Sequence, residues 1–203
     1  MNMISFGEVK IMPFQEATVL YFSLNQKVNE HTVLEFRLLL PEEKKDSYIE
    51  RITAEEKIAL VVKKDEKEDK IFYGKTLYME IETGANVYEL RGKAVSYTKD
   101  IDIKIKSRSF QNKDETYAKL AKGIVGEYQK ADFEDNIFLS NKTGKFILQY
   151  QESDWEFLKR MASRYNAPLI PIATREAPVF SIGINKNWKE IELNTINYKV
   201  KKI

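Results

Sequence analysis

The segment Gln149–Tyr165, with the sequence QYQESDWEFLKRMASRY, decides most of what this chain predicts about its fold. Ser153 and Glu156 have the S-x-x-E spacing of a capping box, in which each side chain satisfies a backbone donor at a helix start. Apolar residues then recur at three- and four-residue spacing and predict one buried helical face: Trp155, Leu158, Met161, Ala162 and Tyr165. Asn166, followed by Pro168, predicts the helix end. The segment therefore predicts a strand that passes directly into a capped helix.

Three acidic residues in this segment have a structural interpretation. Asp154 is expected in the first helical turn, where the helix dipole favours negative charge. The sequence offers no partner that would engage these acids in catalysis. Glu152, Asp154 and Glu156 are therefore predicted to be capping and surface groups, while Trp155 anchors the helix to the layer beneath it.

Composition restricts the classes of protein and site that are compatible with the chain. Its 203 residues suffice for one or two domains, and 43% apolar and 32% charged residues are ordinary for a soluble protein. The net charge is only +2, from 33 basic and 31 acidic residues, so global charge does not favour nucleic acid or an anionic membrane. The lack of cysteine excludes disulfides and thiolate chemistry. A single histidine, His31, excludes a multi-histidine metal site.

Residues 1–14 lack a basic segment followed by a long apolar one, so no signal peptide is predicted. No apolar run approaches the roughly 20 residues that span a bilayer. We therefore expect synthesis in the cytoplasm and no membrane-spanning segment.

Residues 1–107 predict an antiparallel β-barrel. Short apolar or alternating runs suited to strands are separated by polar turns, at 18–24, 34–40, 57–63, 71–81 and 87–95. Ile101, Ile103 and Ile105 alternate with polar residues and predict one more, half-buried strand. Gly74 and Gly92 lie inside strands, where we expect a bulge or a barrel corner. These features favour a small closed or nearly closed barrel.

Residues 108–185 predict a small α/β domain. A helix is expected from Lys113 to Tyr128, with Asp114 and Glu115 at its start, where the dipole favours them. A strand at 146–150, the opening helix and a strand at 179–184 follow. Residues 186–203 carry a further alternating run, interpreted as the start of an incomplete second barrel or a C-terminal tail. The predicted fold class is thus α+β, and we expect the natural protein to continue beyond Ile203.

Motifs for catalysis and nucleotide binding are missing from the sequence. There is no Walker loop, dinucleotide fingerprint, HExxH or GxSxG. His31 is expected to be a hydrogen-bonded turn residue. Lys104, Lys106 and Arg108 form a local basic run, but lysines that alternate along the outer face of a strand are the commoner arrangement. We therefore predict no enzyme activity, no cofactor, no metal and no nucleic-acid contact.

Four segments, in colinear order, carry a family pattern. VNEHTVLEFRLLLPEEKKDSY at 28–48 contains an Asn-Glu-His turn, IFYGKT at 71–76 an F-x-G pattern, and KSRSFQNKDETYAKLAKGI at 106–124 an R-S-F-Q run. The opening segment is similar to Q-Y-x-E-S-D-x-x-F-L-x-R. We call the matching positions the signature residues: Asn29, Glu30, His31, Gly74, Arg108, Phe110, Gln149, Tyr150, Glu152, Ser153, Asp154, Trp155, Phe157, Leu158 and Arg160.

In these segments the chain resembles the hub proteins of contractile injection machines, which include the VgrG proteins of type VI secretion and the late-control D proteins of phage tails. The resemblance implies a gene-product-27-like fold, with two related β-barrels and α/β elements between them. It also implies that the full-length protein is a homotrimeric ring that docks on tail-tube rings and carries a spike protein or spike domain. Such a protein is assembled into a phage-tail-like particle or injection apparatus.

This chain corresponds to the first barrel and much of the α/β region of that family, which leaves trimerisation of the chain itself open. A different class of function also remains open at this stage. The barrel could be a stand-alone binding module for peptide, glycan or nucleic acid.

Overall fold

The computed structural model describes residues 9–44, 47–48, 56–64, 67–84, 87–137 and 141–185. The prediction of a second barrel or a C-terminal tail at 186–203 lies outside these residues. The strands and helices are, in chain order, β1 (Val9–Met12), β2 (Thr18–Asn25), β3 (Val33–Leu40), a 3-10 helix (Glu42–Lys44), β4 (Lys57–Lys64), β5 (Lys67–Gly84), β6 (Val87–Ser96), a second 3-10 helix (Tyr97–Asp102), β7 (Ile105–Phe110), α1 (Tyr117–Val125), β8 (Asp132–Asp135), β9 (Ile147–Ser153), α2 (Asp154–Ser163), β10 (Leu169–Pro171) and β11 (Val179–Ile182).

The first six strands form one antiparallel sheet in the order β1-β4-β5-β6-β3-β2. The sheet curls into a half-barrel, and its two edge strands, β1 and β2, contact each other. Along β3, buried Leu34, Phe36 and Leu38 alternate with exposed Glu35 and Arg37, as expected for a strand with one face in a core. The α+β class and the N-terminal barrel-like sheet are therefore confirmed.

The two strand glycines have a different role from the predicted bulge. Both glycines occupy paired register positions, and the two bulges in β5 fall on either side of Gly74, between Lys70 and Phe72 and between Thr76 and Tyr78. A Cβ on Gly92 would lie 2.3 Å from the ring of Phe36. A Cβ on Gly74 would lie 2.3 Å from the backbone oxygen of Val95. Glycine is therefore required at both positions for close packing.

The sixth predicted strand is wrong. Tyr97–Asp102 is a 3-10 helix in which Tyr97, Thr98 and Ile101 are buried. Ile103 and Ile105 are instead 63% and 65% exposed. Of these three isoleucines, only Ile101 is buried in a core. Their alternation therefore does not indicate a strand of the barrel.

The α/β region contains a pair, β7–β9, and a three-stranded sheet, β10-β11-β8, in which β11 is parallel to β8. Helix α1 begins later than predicted, because the side chain of Thr116 accepts a hydrogen bond from the backbone N–H of Lys119 and caps it. Asp114 and Glu115 therefore precede the helix. Strand β8, with the sequence DFED, was not predicted because it carries a single apolar residue.

The described residues form two hydrophobic cores, one inside the half-barrel and one between α1, α2 and the three-stranded sheet. They interlock. Ile101, which directly follows the barrel sheet, packs in the second core, whereas Ala173 from the α/β region packs in the barrel core. The junction between the cores is where most signature residues lie.

Candidate functional site at the junction of the two cores

Helix α2 begins as the sequence predicts. Ser153 has an extended backbone, and its hydroxyl accepts a hydrogen bond from the N–H of Glu156 at 3.1 Å. The carboxylate of Glu156 accepts from Lys159 at 2.8 Å, so only the serine half of the capping box is present. Asn166 ends the segment with a positive φ of 52°, a conformation that asparagine tolerates better than most residues.

His31 lies in a chain of hydrogen bonds. Its Nδ1 is 2.9 Å from the hydroxyl of Thr98, and its Nε2 is 3.1 Å from Oδ2 of Asp102. Burial lowers the pKa of His31 and outweighs the opposing effect of Asp102, so the ring is neutral at pH 7. A neutral imidazole has one donor and one acceptor. Its partners indicate that the Nε2–H donates to Asp102 and that the Thr98 hydroxyl donates to Nδ1.

The chain continues in both directions and links the barrel to α2. On the barrel side, Thr98 lies 2.8 Å from the hydroxyl of Ser96, which accepts from the backbone N–H of Thr32. On the other side, Ser153 donates to Asp102. The same serine that caps α2 is thus connected through His31 to the strands of the barrel.

Asp102, His31 and Thr98 have the acid–imidazole–hydroxyl order of a catalytic triad, which the sequence did not reveal. Their environment does not suit nucleophilic catalysis, because Thr98 is only 1% exposed and its hydroxyl is held between His31 and Ser96. A nucleophile must reach its substrate. The arrangement therefore supports a structural role.

Asn29 and Trp155 complete this junction. Asn29 has a positive φ of 64°, and it pairs with Leu169 through its N–H and its side-chain oxygen, at 2.7 and 2.9 Å. The indole N–H of Trp155 donates to the backbone oxygen of Asn29, and the ring lies 4.7 Å from the imidazole of His31. The barrel turn is thereby fixed to β10 and α2 together.

A second network surrounds Asp154, which is fully buried. One carboxylate oxygen accepts from Lys106 and Tyr128, each at 2.7 Å, and the other accepts from Gln149 at 2.8 Å and from Arg108. The prediction that Asp154 is a surface group is therefore wrong. So is the prediction that Lys106 lies on an outer face, because β7 turns both cations toward α2.

The charges in this network balance. Glu127 also pairs with Lys106 and Arg108, so two carboxylates, Asp154 and Glu127, offset the charge of two cations. Burial alone would raise the pKa of Asp154, but hydrogen bonds from Lys106, Tyr128 and Gln149 hold it below its usual range. Burial and the bond to Asp154 raise the pKa of Tyr128 to about 12. Two of the three cations in the basic run are thus neutralised within the fold.

The other signature residues divide into two groups. Phe110 stacks on Phe157 with ring centroids 5.5 Å apart, Leu158 is fully buried, and Arg160 binds Glu152 and the backbone oxygen of Leu148. Three signature residues lie apart from the junction. Glu30 forms a surface pair with Lys27, Tyr150 is 63% exposed, and Gly74 packs within the barrel.

The outward face of the β7–β9 pair is uncharged. Ile105, Leu148 and Tyr150 are 65%, 45% and 63% exposed, and Ser107 and Ser109 lie exposed beside them. Lys106 and Arg108 point to the opposite face. In a chain with 32% charged residues, an exposed strand pair without outward charged side chains is typical of a contact surface.

Other kinds of site were sought in the part of the chain that the structure describes. There, no three His, Cys, Asp or Glu side chains converge as metal ligands would. No helix within the same ranges has the length and apolar character needed to cross a bilayer.

The sequence matches no protein-family model and no curated protein. Solved structures do match. The c3393 protein of E. coli, described as a component of the type VI secretion system with structural similarity to the T4 bacteriophage tail proteins gp27 and gp5, aligns with 90% of this chain at a TM-score of 0.61 and 13% identity. The 43 kDa tail protein of prophage MuSo2 from Shewanella oneidensis aligns with 80% at a TM-score of 0.57 and 11% identity.

This chain has a phage-tail-protein fold. A tail protein from Neisseria meningitidis MC58 is also similar, with a TM-score of 0.50 and 11% identity over 75% of the chain. The chain covers 50%, 47% and 42% of these three proteins and so spans about half of their length. The predicted resemblance to tail and type VI secretion proteins is therefore confirmed for the fold.

Proposed function

We propose that this chain is part of a structural hub component of a contractile phage tail, tailocin or type VI-like injection machine. The observation that carries the proposal is the fold it shares with a type VI secretion component and a prophage tail protein over 80–90% of its length. In this role the full-length protein forms a trimeric ring that joins the tail tube to the spike. Its action is mechanical, without catalysis or a cofactor.

The junction between the two cores supports a mechanical role. Trp155, Asn29 and His31 link the barrel to α2 through hydrogen bonds and ring contacts. Asp154 fixes α2 to β7 through a buried, charge-balanced network. A component that transmits force between tube and spike benefits from two cores that move as one body.

The uncharged face of β7–β9 supports assembly with other subunits. Ile105, Leu148 and Tyr150 present apolar area without charges that would need to be desolvated. In a cyclic trimer, each subunit contributes one surface to each of its two neighbours. We propose that this face is one such surface in the full-length protein, which is made in the cytoplasm and then assembled into a tail-like particle.

No feature of the described residues specifically favours the alternative of a stand-alone nucleic-acid-binding barrel. The most basic run of the chain is its strongest candidate for a phosphate contact, yet Lys106 and Arg108 are engaged by Asp154 and Glu127. A nucleic-acid surface needs cations that are free to meet phosphates.

The proposal is tested by sedimentation velocity of the full-length protein. We expect a species with three times the mass of one subunit. Tyr150→Lys should weaken this assembly without loss of folding, while the matched change Tyr78→Lys, at a tyrosine 51% exposed on the barrel, should leave it intact. A strictly monomeric full-length protein at micromolar concentration would contradict the trimeric ring.

A further inference from the structure

Strand β7 has a free edge. It pairs with β9 on one side, and no backbone hydrogen bond joins it to a described residue outside that pair. In an antiparallel pair, the N–H and C=O groups of alternate residues point away from the partner strand. The six residues Ile105–Phe110 therefore present unpaired backbone donors and acceptors along this edge. A row of such groups is a template for a further strand.

The edges of the two larger sheets are protected against strand addition. Strand β1 has four residues and is followed by Pro13, and β10 has three and ends at Pro171. Strand β2 has a bulge at Leu20, and three of the four residues of β8 are acidic. Short length, proline, bulges and charge are the usual features that prevent an edge strand from pairing with another chain.

Within the β7–β9 pair, only β9 has such protection. The register places an extra residue in β9, where Gln151 has a positive φ of 47°, and the backbone oxygen of Leu148 accepts a hydrogen bond from Arg160 at 2.7 Å. Strand β7 contains no proline and no extra residue. Its two charged side chains, Lys106 and Arg108, are engaged in the buried network on the opposite face. The edge of β7 is thus the open one.

Both ends of this edge are basic. Lys104 directly precedes β7, and Lys113 follows it. Lys145 lies beside Lys113, because the N–H of Gly144 donates to the backbone oxygen of Lys113 at 3.0 Å. All three lysines are exposed, and none forms an ion pair with a residue that the structure describes. Between the two ends, the outward side chains of β7 carry no charge.

We propose that the edge of β7 binds an extended segment of a partner protein as an added strand. The segment has an uncharged stretch of the same length as β7, with an acidic residue at each end. Its backbone satisfies the free groups of β7, and its acids pair with Lys104 at one end and with Lys113 and Lys145 at the other. A second copy of β7 fits less well, because it has the same basic ends. The inference concerns the edge of β7, not the outward face of β7–β9, and does not depend on the hub role.

The test is an NMR titration of the ¹⁵N-labelled chain with the peptide acetyl-ETVTVTVE-amide. We expect saturable shifts in β7 and slower hydrogen exchange of those β7 amides that do not bond to β9. A control peptide of the same sequence carries N-methyl groups on two adjacent central residues. It lacks a donor on each of its edges and should not bind, although its side chains are unchanged.

Charge-swap variants test the ends of the site. The combined change Lys104→Glu and Lys113→Glu should weaken binding of the acidic peptide by about tenfold, because attraction becomes repulsion at both ends. The same variant should bind acetyl-KTVTVTVK-amide more tightly than the wild type does. Both lysines are exposed, so the fold should tolerate the change. Lys63→Glu, at an exposed lysine of the barrel, should leave binding of both peptides unchanged.

Three results would overturn the proposal. Absence of saturable binding would show that the edge takes no added strand. Shifts without slower exchange of β7 amides, or equal binding of the N-methylated peptide, would indicate contact with the outward face only. A dimer in sedimentation velocity of the chain without peptide, with all β7 amides already protected, would mean that a second copy covers this edge.

Each of these results leaves the trimer test with Tyr150→Lys unaffected, because that test concerns the outward face and the full-length protein.

Discussion

The indole N–H of Trp155 donates to the backbone oxygen of Asn29 at 3.3 Å, across 126 positions of sequence. One partner lies in a barrel turn, and the other lies in the first turn of α2, at the edge of the second core. The contact makes the start of α2 a structural link between two parts of the fold. This link also explains why so many signature residues lie in the short strand–helix segment Gln149–Tyr165.

Replacement of Trp155 by alanine should lower the free energy of unfolding by about 3–5 kcal/mol, the usual cost of removing a large aromatic side chain from a core. The residue is 1% exposed, so little of the cavity can be filled by solvent. Urea denaturation followed by circular dichroism measures the change. Trp155→Phe, which keeps most of the apolar volume but loses the bond to Asn29, should cost less. A loss below 1 kcal/mol for alanine would contradict the burial of this face.

Replacement of Asp154 by asparagine should destabilise the fold by about 3 kcal/mol, because it leaves Lys106 and Arg108 facing a neutral group. Both cations are about one quarter exposed, so some hydration offsets the loss. Asp114→Asn is the matched control, since Asp114 is 83% exposed and its pair with Lys142 should contribute less than about 0.5 kcal/mol. Equal effects of the two substitutions in urea denaturation would count against a buried network.

The Asp154 network should also make stability depend on pH in the acid range. The folded-state pKa of Asp154 lies below its ordinary value of 3.8, so its stabilising contribution is present above pH 3.8 and is lost as pH falls through the folded pKa. Acid unfolding curves of the wild type and Asp154→Asn should therefore converge at low pH. Curves that stay equally separated down to pH 2 would contradict this assignment.

Particular residues show what the sequence could and could not reveal about this fold. The start of α2 was predictable, because Ser153 and the apolar spacing after it are local signals. The burial of Asp154 was not, since it depends on Lys106 and Arg108, which lie more than 40 positions away. Ile101, Ile103 and Ile105 had the pattern of one barrel strand, but Ile101 lies in a 3-10 helix and Ile105 begins β7, where it is 65% exposed. The hydrogen-bond chain through His31 likewise depends on tertiary contacts.

His31, the single histidine of the chain, gives an isolated NMR signal for a pH titration. Burial lowers its pKa from the ordinary value of 6.5, so the neutral ring is favoured in the folded state. Its contribution to stability is fully present above pH 6.5 and is lost as pH falls through the folded pKa. The ring-proton signals should therefore titrate below pH 6.5. A midpoint at or above 6.5 would contradict the neutral, buried imidazole.

Two glycine-to-alanine substitutions should change the free energy of unfolding in opposite directions. Gly74→Ala brings a methyl group within 2.3 Å of the backbone oxygen of Val95 and should destabilise by about 1–3 kcal/mol. Gly123→Ala, in α1 with no described atom within 4 Å of the new Cβ, should stabilise by about 0.5–1 kcal/mol. Thermal denaturation compares the two. A neutral Gly74→Ala would mean that β5 and β6 are not so closely packed.

Electron microscopy of a bacterial strain that naturally carries this gene tests the hub role most directly. Negatively stained particles from the wild type should be compared with particles from a strain in which the gene is deleted, and from the same strain with the gene restored on a plasmid. The proposed role predicts that the deletion abolishes complete, spike-bearing tails and that the restored gene returns them. Complete tails at wild-type frequency in the deletion strain would contradict it.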